Sequence, residues 1–241
     1  AVSTAVRWLA YLGVVLLGGL VFVLLCRPAA PRARRLLHVG AGLVAVTTVG
    51  AFVLQGPYAA GRGLTAVFDP GLLADTLRVA YGKLLLLRLA AVAALLVVLP
   101  RLLRPEVPDR SRSRLENAAM IAGFLVLLTF SATGHPVTDP VMFFSVTADL
   151  VHFGAIAVWV GGLVQLFLAL YRPLPGEDPG FAATRFSRLA TWSVTAIAIS
   201  GAVLALRIMP SLSGLWATLF GVVVLLKVAG LVVLLVVASR S

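Results

Sequence analysis

Cysteine is nearly absent from this chain. Cys26 is the one thiol in 241 residues, which excludes an internal disulfide and any multi-cysteine metal site. Acidic residues are scarce too: nine Asp and Glu stand against 20 Lys and Arg, and charged residues make up 12% of the whole. A soluble domain carries about 25%. Walker, GxSxG and HExxH patterns are missing, so no ATP-driven pump lies within the chain and no enzyme activity is expected. Strands of alternating polarity, the mark of a membrane β-barrel, are replaced by apolar runs of roughly 20 residues.

What remains is largely hydrocarbon. The chain is 61% hydrophobic with mean hydropathy +1.05. This composition predicts an all-α, polytopic transmembrane helical bundle, one domain over 1–241. Windows of about 19 residues place seven spans near 6–25, 36–54, 79–100, 116–133, 145–169, 189–208 and 215–238. The first is expected to be a span and not a signal peptide, because its apolar run is long and no A-x-A site closes it.

The net charge of +11 points to lipid and not to nucleic acid, because the arginines fall between spans. Arg27, Arg32, Arg34 and Arg35 follow span 1, and Arg101, Arg104, Arg110, Arg112 and Arg114 follow span 3. Arg172, Arg185 and Arg188 follow span 5, and Arg240 follows span 7. The opposite side has only Arg7, Arg62, Arg78 and Arg207. The positive-inside bias therefore predicts an extracytoplasmic N-terminus, with the 55–78 and 134–144 loops also outside.

A repeat is visible. Gly18-Gly19-Leu20-Val21 in span 1 returns as Gly161-Gly162-Leu163-Val164 in span 5, and both spans exit through Arg-Pro. Tyr81-Gly82 with Arg88 matches Phe220-Gly221 with Lys227 at the same spacing. The expectation is two parallel four-helix halves, 1–133 and 134–241, as in transporters built from repeated bundles. The second half is one span short, so an eighth span or a further domain is expected after Ser241.

Chemistry concentrates at the outer end of span 5. His135, Asp139, Asp149 and His152 fall within 18 residues. Ionisable groups beside a membrane span are costly and mark a site by default. Ser145, Asp149, His152, Ile156 and Trp159 follow a 4, 3, 4, 3 spacing and share one helix face. Imidazole and carboxylate suit Cu(II) or Zn, and the thioether of Met142 favours Cu(I). Asp149 is either a ligand or the group that holds the second nitrogen of His152. The alternative is plain hydrogen bonding between Asp149, His152 and a basic neighbour. Arg88 and Lys227 lie near the midplane by these limits; each is expected to face the bundle and pair, with Asp149 or Asp75 as the nearby acids, or to gate a cation path. His38 reads as an interfacial histidine, and Cys26 as a packed one.

The ordered set from Ser131 to Lys227 resembles the copper-resistance D (CopD) family of bacterial inner-membrane proteins. It comprises Gly134-His135, Asp149-x-x-His152, Trp159-Val160-Gly161-Gly162-Leu163, Arg185-Phe186-Ser187-x-Leu189-Ala190, Ser200-Gly201 and Thr218-x-Phe220-Gly221 with Lys227. In the first half the resemblance rests on Tyr81-Gly82 and Arg88. It implies a multi-pass protein of the cytoplasmic membrane that imports copper or delivers it to a cuproenzyme. It also implies eight spans, a periplasmic copper-binding partner or fused domain, and in some bacteria a link to cytochrome-oxidase assembly. On this reading a copper ion, Cu(I) or Cu(II), is taken at His135, His152, Asp149, Asp139 and Met142, and passes Trp159, Arg88 and Lys227. Two other functions compete: a non-transporting assembly scaffold, and a b-type haem cytochrome that would need His135 and His152 on facing helices.

Overall fold

The computed structural model describes residues 2–26, 31–104, 107–133, 142–171, 179–208 and 213–239. Among these the regular elements are all helical: α1 (Val2–Cys26), α2 (Pro31–Ala59), a 3-10 turn (Leu64–Phe68), α3 (Pro70–Arg78), α4 (Ala80–Leu102), α5 (Asp109–Ser131), α6 (Met142–Tyr171), α7 (Pro179–Ile208), α8 (Gly214–Ala217) and α9 (Leu219–Ser239). Six of them, α1, α2, α4, α5, α6 and α7, are long and apolar enough to cross a bilayer. They coincide with the first six expected spans. The seventh expected span falls on α8 and α9, where the apolar stretch among described side chains is the shorter Gly221–Gly230. Among the described residues, then, six helices are long and apolar enough to span, where seven were expected.

The sequence reading missed the 3-10 turn and α3. Asp69 starts α3 in the usual way: its side chain accepts from the amides of Gly71 (2.9 Å) and Leu72 (3.4 Å), and Pro70 occupies the first turn, where no amide hydrogen is needed. Arg62 pairs with Asp69 and Arg78 with Asp75, each at 3.1 Å and exposed. These charges therefore settle with one another beside α3 and leave the bundle interior to other groups.

α1 is the central helix, packed by α2, α6, α7 and α5. Its Val14, Leu17 and Leu20 join Leu37 and Val44 of α2, Leu95 and Leu99 of α4, Val126 of α5 and Ala157 of α6 in one core. A second cluster holds Phe22, Leu166 and Phe186, with Cys26 and Trp159 packed on it. Away from these contacts the flanks are apolar and exposed, as at Val46, Ile121, Phe167 and Ile199, which is what a lipid-facing surface requires.

α1 and α6 run in the same direction, with Tyr11 opposite Phe153, Gly18 opposite Ala157 and Gly19 opposite Gln165. The two glycine pairs noted in the sequence meet here. A Cβ on Gly18 would lie 2.1 Å from the Ala157 carbonyl oxygen, and one on Gly161 would lie 2.1 Å from that of Val15. The backbones touch, and even alanine has no room. Because the obstacle is main chain and not a movable side chain, Gly18→Ala or Gly161→Ala should cost at least the upper end of ordinary overpacking, about 3 kcal/mol. Thermal unfolding in detergent checks this: both variants should melt well below the parent, whereas Gly42→Ala, which meets open space, should not.

Candidate functional site

Asp149 and His152 are one turn apart on α6, as their spacing requires. His152 lies ten residues into the helix, about 15 Å from its start at 1.5 Å per residue. The ring is half-buried and turns toward α7, not toward Asp149. Its Nδ1 is 3.1 Å from the Ile197 carbonyl oxygen and 3.1 Å from the Ser200 hydroxyl. Asp149 is close enough to act on the ring through space. The second nitrogen of the imidazole is thus held by α7, where the sequence offered Asp149 for that task. Ser145, one turn above Asp149, is buried on the same face.

The remaining expected ligands are distributed differently. His135 and Asp139 lie outside the described residues, and so does the side chain of Met142, the first residue of α6. Among the described residues no three His, Cys, Asp or Glu side chains are gathered as a metal group. Trp159 packs in the Phe22–Leu166–Phe186 cluster. Lys227 is exposed on α9 and within electrostatic reach of His152. His38 sits near the opposite end of the bundle from His152, with Nδ1 donating to the Arg34 carbonyl oxygen at 2.7 Å.

Arg88 is 5% exposed and bound by neutral groups. Its Nε donates to Thr129 Oγ1 at 3.0 Å, and one terminal nitrogen donates to the Thr129 carbonyl oxygen at 2.9 Å and to Thr133 Oγ1 at 3.3 Å. The guanidinium lies 3.6 Å from the centroid of Phe130, whose ring in turn meets those of Tyr11 and Phe153. The expected pairing with Asp149 or Asp75 gives way to this arrangement, and Asp75 is taken by Arg78. The physical reason is the last turn of α5. Its carbonyls lack amide partners within the helix and carry partial negative charge, so that turn can hold a cation without a carboxylate. Hydrogen bonds to a charged donor contribute roughly 1.5–3 kcal/mol each, enough to offset the roughly 2.5–3.5 kcal/mol of placing arginine at this depth. Thr129, Thr133, Ile197 and Ser200 escaped the sequence reading as site residues. The Thr129/Thr133 spacing of four at a span end was the available signal.

The architecture is that of a multi-pass helical membrane protein with buried polar residues toward the end where α6 begins. Residues 1–141 match the copper resistance protein D-like N-terminal domain, and residues 181–241 match copper resistance protein D. The chain belongs to the copper resistance protein D family. Among curated proteins it is similar to the "Copper transport protein CutJ" of Bacillus subtilis (strain 168), at 27% identity over 212 residues, covering 86% of this chain and 38% of that protein. The chain thus spans well under half the length of this relative. No solved structure matches it.

If the α5 turn holds Arg88 as described, Thr129→Val removes the acceptor for Nε and should lower stability by about 1.5–3 kcal/mol. Arg88→Lys, which keeps the charge but loses the planar fork, should cost a comparable amount. Denaturant melts in mixed micelles would check both, and an unchanged Arg88→Lys midpoint would contradict the account.

Proposed function

We propose that this protein carries copper across a membrane, or delivers it within one, taking the ion at the end of the bundle where α6 begins. The observation that carries this reading is His152, a half-buried imidazole inside a membrane-spanning helix of a copper-resistance family chain. The likeness to CutJ, a copper transport protein, supports it. Copper is here the cargo, Cu(I) or Cu(II). One imidazole does not complete a copper site, so His135, Asp139, Met142 and Asp149 are the candidates for the further ligands. The path would run past Trp159, with Arg88 and Lys227 as the positive charges along it.

Arginine placement supports a bacterial cytoplasmic membrane with the N-terminus and the start of α6 extracytoplasmic. In that frame α9 is the seventh span, and 1–133 and 134–241 are the two halves of the repeat. A periplasmic copper-binding protein, a further domain, or the machinery of cytochrome-oxidase assembly would hand over or receive the ion. The haem alternative would need His135 with His152, and His135 lies outside the described residues; His38, near the opposite end of the bundle from His152, does not supply the second ligand.

Two experiments test the reading. Purified protein loaded with copper should retain near-stoichiometric metal, and the His135→Ala/His152→Ala double variant should lose most of it. Equal copper in both, by elemental analysis, would remove the site. For orientation, Thr65→Cys in a Cys26→Ser background should react with a membrane-impermeant maleimide in intact spheroplasts, whereas Ser111→Cys should react only after lysis. The reverse pattern would invert the topology.

A further inference from the structure

The partners of His152 determine which of its two nitrogens is available. Nδ1 faces the Ile197 carbonyl oxygen at 3.1 Å, and a carbonyl only accepts. It also faces the Ser200 hydroxyl oxygen at 3.1 Å. That hydroxyl has one hydrogen, and the Ala196 carbonyl oxygen accepts it, which leaves a lone pair toward the ring. Two acceptors thus converge on Nδ1, so Nδ1 carries the proton. In a neutral imidazole the lone pair is then on Nε2.

Gly201 makes this approach possible. A Cβ at that position would stand 3.0 Å from Cε1 and 3.4 Å from Nδ1 of His152. Any side chain there would push the ring away from α7 and lengthen the bonds to Ile197 and Ser200. A serine and a glycine side by side, one turn after Ile197, make a seat for the edge of an imidazole.

We propose that His152 presents Nε2 to copper, and that Ser200, the Ile197 carbonyl and Gly201 are the positioning groups that fix this tautomer and ring orientation. This rests on the copper reading of His152 given above. Metal-binding histidines generally donate their other ring hydrogen to a carbonyl, carboxylate or water, and loss of such a partner typically weakens metal binding 10- to 100-fold. Here the carbonyl remains when the hydroxyl is removed, so the loss from Ser200→Ala should fall near tenfold. Ser200→Thr, which keeps the hydroxyl, should restore binding to near the parent value.

The test is nitrogen NMR of the full chain in lipid nanodiscs, with histidine labelled at both ring nitrogens. The His152 signals are assigned by their absence in His152→Gln, since only His38 and His135 would then remain. Without metal, at a pH where the ring is neutral, Nδ1 should be protonated and Nε2 unprotonated. Addition of Cu(I), which is diamagnetic, should shift Nε2 and leave Nδ1 protonated. A protonated Nε2, or Cu(I) bound through Nδ1, would overturn the inference while leaving the copper reading of His152 intact. No shift at either nitrogen on adding Cu(I) would instead overturn the copper reading itself, and this inference with it. The apo spectrum needs no variant, so a poorly folding Ser200→Ala would not spare the proposal.

Discussion

Lipid tails are as apolar as leucine, so helices in a bilayer gain little by hiding leucine from their surroundings. What holds them is close contact, and close contact needs small residues. In this bundle the requirement falls on α1 and α6, where Gly18 and Gly161 let two backbones meet at distances that exclude a methyl group. The remaining elements are arranged around that seam. α2 and α7 pack on α1 and α6, and the α4–α5 pair joins through α2. The seam also brings Phe153 of α6 against Tyr11 of α1 and Phe130 of α5. Through α6 it fixes the position from which His152 meets α7.

A second constraint is the treatment of charge where water is scarce. Arg88 could have been neutralised by a carboxylate, but a buried ion pair repays its desolvation only with very good geometry. The chain uses the end of α5 instead. Two threonines that already donate to carbonyls of their own helix turn their oxygens to the guanidinium, and Phe130 covers it. The positive charge is thereby retained and not cancelled by an acid. Asp149, the carboxylate on α6, takes no part in this and stays one turn from His152.

The division between what the sequence displayed and what it concealed follows the range of the interactions. Hydropathy over about 19 residues is a local property, and six spans appeared where expected. The helices overran those windows because helical hydrogen bonding continues into polar flanks: α7 begins at Pro179, well before the apolar run near residue 189. The Asp69-Pro70 start of α3 was legible as an N-cap, but apolar windows do not look for it. The shared face of Asp149 and His152 follows from helical periodicity alone. The partner of His152 does not, because Ser200 is 48 residues away and only the packing of α6 on α7 brings it there. Arg88 was recognisable as an oddity and mispaired for the same reason: reading charges as pairs looks for acids, whereas the actual partner is the end of a helix 41 residues on.

The seam between α1 and α6 also bears on how the protein is made. Gly18 and Gly161 are 143 residues apart in the chain. A ribosome adding about 5–20 residues per second therefore needs about 7–30 s to produce the second glycine after the first. Once α1 has entered the bilayer, its smallest face has no partner helix until α6 follows. α2, α4 and α5 can gather meanwhile, but the central groove must stay open for a helix that does not yet exist. Assembly of this bundle is thus ordered by synthesis, with its tightest contact closing late.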